Sequence, residues 1–186
     1  MTKRIVFDVE SLGLHGEGFA VGWVVLDDKG REIEWCVRAA DPVNACGAPD
    51  DRTWIEANVV PALGGRVAAS FIEPSTTLRD VREAFWAMYQ RLKAEGPVEL
   101  WADCPWPVEA RFLNACVDDG QPGRNWEGPY PLLDVGVMMR ASGIDAMATY
   151  PRRPDEEPAH NPLADARQSA RLLLEAESRL KARASA

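Results

Sequence analysis

The chain has 186 residues, of which 46% are hydrophobic and 27% charged, a balance typical of one soluble globular domain. Its formal net charge of −8 argues against a protein that grips long nucleic-acid duplexes, because such proteins are usually basic. No apolar run approaches the length of a membrane span and no signal peptide is visible, so we expect a cytoplasmic protein without a membrane partner.

The first predicted strand ends in two carboxylates one residue apart. Ile5, Val6 and Phe7 form an apolar run, and Asp8 and Glu10 follow it. Residues two apart on a strand point to the same face, so the two carboxylates are expected side by side. Close carboxylates repel and are costly to bury, and a divalent cation removes both penalties. An isolated Asp-x-Glu is more often a pair of solvated acids, so this interpretation depends on the rest of the chain.

The remaining elements are predicted from apolar periodicity and from cap residues. Thr77 and Asp80 resemble a capping box, and Pro61 is expected to end the helix that precedes them. Asn161-Pro162 places an N-cap before a proline at the first helical position. In chain order the predictions are strands over 19–26 and 32–37, helices from Trp54 to about Val60 and from Leu78 to Gly96, a strand over 98–102, a helix from Val108 to about Val117, a strand at 132–133, and helices over 135–143 and from Pro162.

This order of elements predicts an α/β fold with helices flanking a five-stranded mixed sheet. Three antiparallel strands come first and parallel crossovers follow. No segment has the composition of a linker between domains, so residues 1–186 are interpreted as a single domain. Residues 181–186 are expected to fray as a terminal tail.

A histidine and a carboxylate near the C-terminus change the interpretation of the two carboxylates of the first strand. His160 precedes a predicted helix cap, and Asp165 falls about one turn into that helix. Taken alone, a loop histidine is usually solvated and an acid at a helix start stabilises the helix dipole. Taken together, Asp8, Glu10 and Asp165 can chelate one metal ion, with His160 as a titratable base beside them. A carboxylate within 103–109 would complete a second metal site, and two such ions promote phosphodiester hydrolysis.

These motifs resemble the DEDDh 3′–5′ exonucleases of the RNase H-like superfamily. The resemblance rests on Phe7-Asp8-x-Glu10, on a carboxylate of the strand–helix unit in mid-chain, and on His160-x4-Asp165. Within that superfamily the chain is most similar to the small stand-alone exoribonucleases of the mycobacterial type. The stretches that carry this closer resemblance are Trp54 to Leu63, Glu99 to Ala102, Pro151 to Pro154 and His160 to Arg167.

The resemblance implies an RNase H-like fold and a 3′–5′ exoribonuclease that uses two Mg²⁺ or Mn²⁺ ions. The enzyme would act on the 3′ end of single-stranded RNA and release nucleoside 5′-monophosphates. Asp8, Glu10 and Asp165 would hold the ions. His160 would deprotonate the attacking water, and the backbone around Ser11-Leu12 would touch the terminal nucleotide.

Two other functions stay open beside this one. The first is the same chemistry on DNA or on very short oligonucleotides, and the second is an inert nucleic-acid or protein-binding module on the same fold. Because related exonucleases often dimerise, a homodimer is also expected.

The third carboxylate of the family motif departs from the family pattern in this chain. The family places an Asp on the helix after the fourth strand, where this chain has Glu109, and the connector before it is one residue longer. A Glu has the extra reach to compensate for such a shift. Asp103, at the end of the strand, is the other candidate, and the sequence leaves both open as metal ligands.

Overall fold

The computed structural model describes residues 2–64, 73–74 and 77–185. These residues form a mixed sheet of six strands in the order β4-β3-β2-β1-β5-β6, with helices on both faces. The strands are β1 (Lys3–Ser11), β2 (Gly18–Leu26), β3 (Glu32–Ala39), β4 (Glu73–Pro74), β5 (Val98–Ala102) and β6 (Leu132–Asp134). The helices are α1 (Pro49–Ala62), α2 (Leu78–Glu95), α3 (Val108–Asp118), α4 (Val135–Ser142) and α5 (Pro162–Ala184).

The sheet has the mixed topology that the sequence predicts. Strands β1, β2 and β3 form an antiparallel meander, while β5 and β6 add in parallel on the other side of β1. The predicted fold class is therefore confirmed, and all five predicted strands are present. The edge strand β4 pairs with β3 over two residues, too short a stretch to leave a periodic pattern in the sequence.

The central strand β1 has a different role on each face of the sheet. On one face Phe7 packs against Phe85 of α2, with ring centroids 4.9 Å apart, and Phe85 also contacts Phe112 of α3. Because side chains alternate along a strand, Asp8 and Glu10 face the other side, where α5 packs. Aromatic burial beneath the strand thus fixes the direction of its acids.

Helix α5 begins directly against the sheet, next to Asp8. Gly22 of β2 pairs with Asp8, and a Cβ atom at Gly22 would lie within 2.6 Å of the backbone of Pro162 and Leu163. The helix then runs back along β1, since Arg4 Nη1 near the start of that strand lies 2.7 Å from Glu177 Oε1. This close approach places the first turn of α5 over the end of β1.

Two predicted boundaries differ in the structure. Helix α1 begins at Pro49, earlier than Trp54, and Pro61 lies inside its last turn. Pro49 takes the first helical position, where its missing N–H costs nothing. Pro61 cannot donate a hydrogen bond to the preceding turn, and the helix ends one residue after it. At the C-terminus, Lys181–Ala184 extend α5, although a frayed tail is predicted there.

The predicted caps of α2 and α5 are confirmed. The Thr77 hydroxyl accepts a hydrogen bond from the Asp80 amide, and Asp80 accepts one from the Thr77 amide. The Asn161 side chain accepts from the amides of Leu163 and Ala164. Among the described residues, no helix combines the length and the apolarity needed to span a bilayer.

We expect Gly22→Ala to destabilise the protein by about 1–3 kcal/mol, the usual cost of overpacking. The added methyl group would collide with the backbone of Pro162 and Leu163, which cannot rotate away as a side chain can. Urea unfolding would measure the loss. Gly123→Ala is the matched control, since its Cβ would meet only Gly120 O, at 3.4 Å. Equal stability of the two variants would contradict this packing.

Candidate active site

The structure brings together the acids and the histidine predicted from the two ends of the sequence. Glu10, His160 and Asp165 each offer a ligand atom, and these atoms all lie within 4.8 Å of one another. Asp8 is close enough to them that the charges of Asp165 and Glu10, in addition to burial, raise its pKa. The three acids and the imidazole therefore share one site at the end of β1.

His160 is held by its backbone and by a neighbouring ring. Its φ of +62° is left-handed, and its amide donates a hydrogen bond to Asp165 Oδ2 at 3.0 Å. Its imidazole contacts the Trp54 ring edge to face, with centroids 5.0 Å apart. The next residue, Asn161, donates to Ala62 O at 3.1 Å and so ties the end of α1 to the start of α5.

Of the two candidates for the third carboxylate, Glu109 approaches β1 directly. Glu109 is 6% exposed, and its Oε1 accepts a hydrogen bond from the Val9 amide at 3.3 Å. Its charge raises the pKa of both Asp8 and Glu10.

Asp103 lies at the margin of the cluster. Its Oδ1 would be 3.5 Å from a Cβ atom at Gly136 in the first turn of α4. Much of the residue is exposed to solvent, but its carboxyl group is partly desolvated, which raises its pKa, and the charge of Asp134 raises it further. Its charge also raises the pKa of Asp8 and Glu109, so it faces the cluster from the side of β6.

The electrostatics of the cluster fit a divalent cation. Burial is the first cause of a raised pKa at all four inner acids, Asp8, Glu10, Glu109 and Asp165. The pKa reaches about 8 at Glu10 and about 7 at Glu109. Carboxylate oxygens are the donors that Mg²⁺ and Mn²⁺ prefer. An ion bound here would relieve both the desolvation and the mutual repulsion of these groups.

A cavity of about 320 Å³ opens beside Glu10. Trp54 and Leu14 line it and are 48% and 67% exposed, so their apolar surface is open to a ligand. Asp51 of α1 adds a carboxylate to the same wall. The cavity therefore combines apolar walls with a few polar groups, as small-molecule sites do.

The two predicted nucleotide contacts differ in position. Ser11 lines the cavity, with its hydroxyl donating to Gly13 O at 2.8 Å. Leu12 is fully buried, and its amide donates to Glu17 O at 3.1 Å, so its N–H is already used within the protein.

Trp54 and Leu14 are not predicted as site residues from the sequence. For Trp54 a signal exists in the pattern of α1, whose buried residues Ile55 and Val59 are four apart. Trp54 directly precedes Ile55, so a large aromatic side chain lies next to the buried face of the helix. An aromatic residue in that position suggests a second contact surface. Leu14 lies in a glycine-rich loop without periodicity, where no such signal exists.

Neither a protein-family model nor a curated protein matches the chain. Solved structures of exonuclease I do match it. The zinc-bound E. coli exonuclease I–ssDNA complex has a TM-score of 0.58 and 12% identity over 92% of this chain. The E. coli enzyme in complex with a dT13 oligonucleotide has a TM-score of 0.62 and 14% identity over 96%. The moderately thermophilic enzyme of Methylocaldum szegediense has a TM-score of 0.58 and 11% identity over 94%.

This likeness shows the fold. It is the RNase H-like exonuclease fold, as the sequence predicts. The chain spans about two fifths of the length of these structures, 39% to 42%. They are exonuclease I structures, so the narrower resemblance to mycobacterial-type exoribonucleases stays a prediction.

We expect the metal-free protein to lose stability as the pH rises from about 5 to about 8. Glu10 and Glu109 keep their protons to about pH 8 and 7 when folded, whereas their ordinary pKa is 4.5. Within that window the folded state binds more protons than the unfolded state, so the free energy of unfolding falls as the pH rises. Thermal unfolding in EDTA at several pH values would measure it.

The matched variant for this experiment is Glu109→Gln, which cannot ionise at that position. Its melting temperature in EDTA should fall less steeply with pH than that of the wild type. Added Mg²⁺ should stabilise the wild type most at the upper end of the range. A wild-type melting temperature that rose with pH in EDTA relative to this variant would contradict the burial of the cluster.

Proposed function

We propose that the chain is a metal-dependent 3′–5′ exonuclease that hydrolyses single-stranded nucleic acid to nucleoside 5′-monophosphates. The observation that carries the proposal is the convergence of Glu10, His160 and Asp165 within 4.8 Å, with Asp8 and Glu109 beside them. This set of groups suits phosphodiester hydrolysis with divalent ions. The shared fold with exonuclease I supports the same class of reaction.

In this proposal Asp8, Glu10 and Asp165 hold the ions, and Glu109 is the further carboxylate ligand. Glu109 is favoured over Asp103 because it is buried and held by the Val9 amide, whereas Asp103 is exposed beside α4. When bound, two Mg²⁺ or Mn²⁺ ions supply Lewis acidity to water activation and to the leaving oxygen.

His160 takes the proton from the attacking water. Its amide bond to Asp165 fixes the backbone, and Trp54 restricts the ring, so the imidazole is held at the edge of the carboxylate cluster. His160 thus contacts both the proposed metal ligand Asp165 and Trp54, which lines the cavity. A base placed there can reach a water that attacks a phosphate bound over the cluster.

The cavity beside Glu10 receives the 3′-terminal nucleotide. Its volume of about 320 Å³ suits one nucleoside, and Trp54 and Leu14 offer apolar surface to the base. Stacking of unpaired bases on aromatic side chains is a common mode of single-strand binding. A site that holds one terminal unit favours removal of single nucleotides from an end.

The proposed substrate is RNA, on the resemblance to small exoribonucleases. Single-stranded DNA is the second candidate, because the exonuclease I structures that share the fold include complexes with dT13 and dA16 oligonucleotides. A homodimer and a cytoplasmic location, both expected from the sequence, stay predictions.

We expect the purified protein to shorten 5′-labelled single-stranded RNA from its 3′ end in Mg²⁺ or Mn²⁺, and EDTA to stop the reaction. Denaturing gels would show a one-nucleotide ladder, and chromatography would identify 5′-monophosphates. A parallel DNA series measures the preference between the two substrates. Absence of metal-dependent shortening of both would refute the proposal.

Paired carboxamide variants test the ligand assignment within the same assay. Glu109→Gln should lose most of the activity and weaken metal binding, whereas Asp103→Asn should retain much of both. The reverse order would assign the further ligand to Asp103.

We expect His160→Ala to slow hydrolysis by about 10²–10⁴-fold, the usual contribution of a general base. Metal affinity, measured by calorimetry, should stay nearly unchanged. The exposed His15 is the matched control, and His15→Ala should leave the rate near that of the wild type. If metal affinity collapsed in His160→Ala, the imidazole would be a metal ligand instead of the base.

A further inference from the structure

Both carboxylate oxygens of Asp165 are engaged by the segment that precedes α5. Arg152 Nη2 lies 2.5 Å from Asp165 Oδ1, and the His160 amide donates to Asp165 Oδ2 at 3.0 Å. Residues 153–159 therefore form a loop whose two ends fasten to one carboxylate. Oδ2 of the residue proposed as a metal ligand thus accepts a hydrogen bond within the chain, whereas the buried Oδ1 accepts none from the described residues and lies in an ion pair with Arg152.

The guanidinium of Arg152 is held in place by the loop itself. Its Nη1 donates to Glu156 O at 2.7 Å, and the side chain is only 20% exposed. The loop has a second, separate anchor, because the buried Glu156 carboxylate accepts two hydrogen bonds from Arg171 of α5, at 2.6 and 2.8 Å. Arg152 therefore stays near the cluster without depending on Asp165 alone.

Arg152 is also the counter-charge of the acidic site. Among the ion pairs of the described residues, Arg152–Asp165 is the one that joins a Lys or Arg to an inner acid of the cluster. A guanidinium is always charged and presents N–H groups that match a carboxylate. It offsets part of the charge of four neighbouring acids, although a single positive charge cannot balance them all.

We propose that Arg152 is a positioning residue that serves as the counter-ion of Asp165 in the metal-free protein and competes with the metal ion for it. The inference rests on the proposed metal site. A divalent ion bound by Glu10 and Asp165 would lie close to the guanidinium, and the two positive charges would repel each other. Arg152 therefore stabilises the metal-free fold and weakens metal binding.

The test compares Mn²⁺ and Mg²⁺ binding by wild type and Arg152→Gln, using calorimetry and metal-induced shifts of the melting temperature. The variant should melt at a lower temperature in EDTA and bind Mn²⁺ about tenfold more tightly, since a nearby positive charge is gone. Arg152→Lys keeps the charge and should stay near the wild type. Arg152→Met, which keeps the aliphatic stem, replaces the Gln variant if that one does not fold.

Arg171→Gln is the matched control, because it removes the other anchor of the same loop and leaves Asp165 untouched. It should lower stability without tightening metal binding. Unchanged or weaker Mn²⁺ affinity in Arg152→Gln would overturn the inference, and so would equal tightening in Arg171→Gln. Failure of the wild type to bind either metal would instead remove the proposed function, which separates the two results.

Discussion

The burial of clustered carboxylates is the constraint on which the rest of this structure depends. Asp8 and Glu10 come from β1, Glu109 from α3 and Asp165 from α5, and burial raises the pKa of all four. Like charges brought together away from water cost free energy, and such clusters are found most often at binding or catalytic sites. The fold must therefore offset this cost elsewhere while holding the acids in place.

The packing that offsets this free-energy cost and the geometry that holds the acids in place both come from β1. Under β1, Phe7 and Phe112 both pack against Phe85, so the strand buries aromatic surface on the face opposite its acids. A shift of register by one residue would turn Asp8 and Glu10 into that aromatic layer, which makes any other register prohibitively costly. Hydrophobic packing on one side thus determines where the carboxylates lie on the other.

The parts of the site that depend on local rules are predictable from the sequence, and the parts that depend on tertiary contacts are not. The two-residue period of a strand is sufficient to pair Asp8 with Glu10, and the Asn161-Pro162 cap places Asp165 one turn into α5. The contact between Trp54 and His160 joins segments far apart in the chain, so no local pattern contains it.

The same distinction between local patterns and tertiary contacts explains one choice that the sequence leaves open and one predicted boundary that differs from the structure. The choice between Asp103 and Glu109 depends on how α3 is rotated against β1, which periodicity alone does not fix. The start of α1 is different, because Pro49 followed by acidic residues is an ordinary signal for a helix start and the sequence therefore contained it.

The negative charge of the chain agrees with a site that works through bound cations. A net charge of −8 repels a polyanion over most of the surface, so affinity for nucleic acid has to come from a few local contacts. Metal ions at the carboxylate cluster would neutralise its negative charge there, next to the cavity with Trp54 and Leu14. In the proposed function, such a surface would bind an end in preference to the body of a strand. The acidity that argues against a duplex-binding protein is therefore compatible with the proposed action on termini.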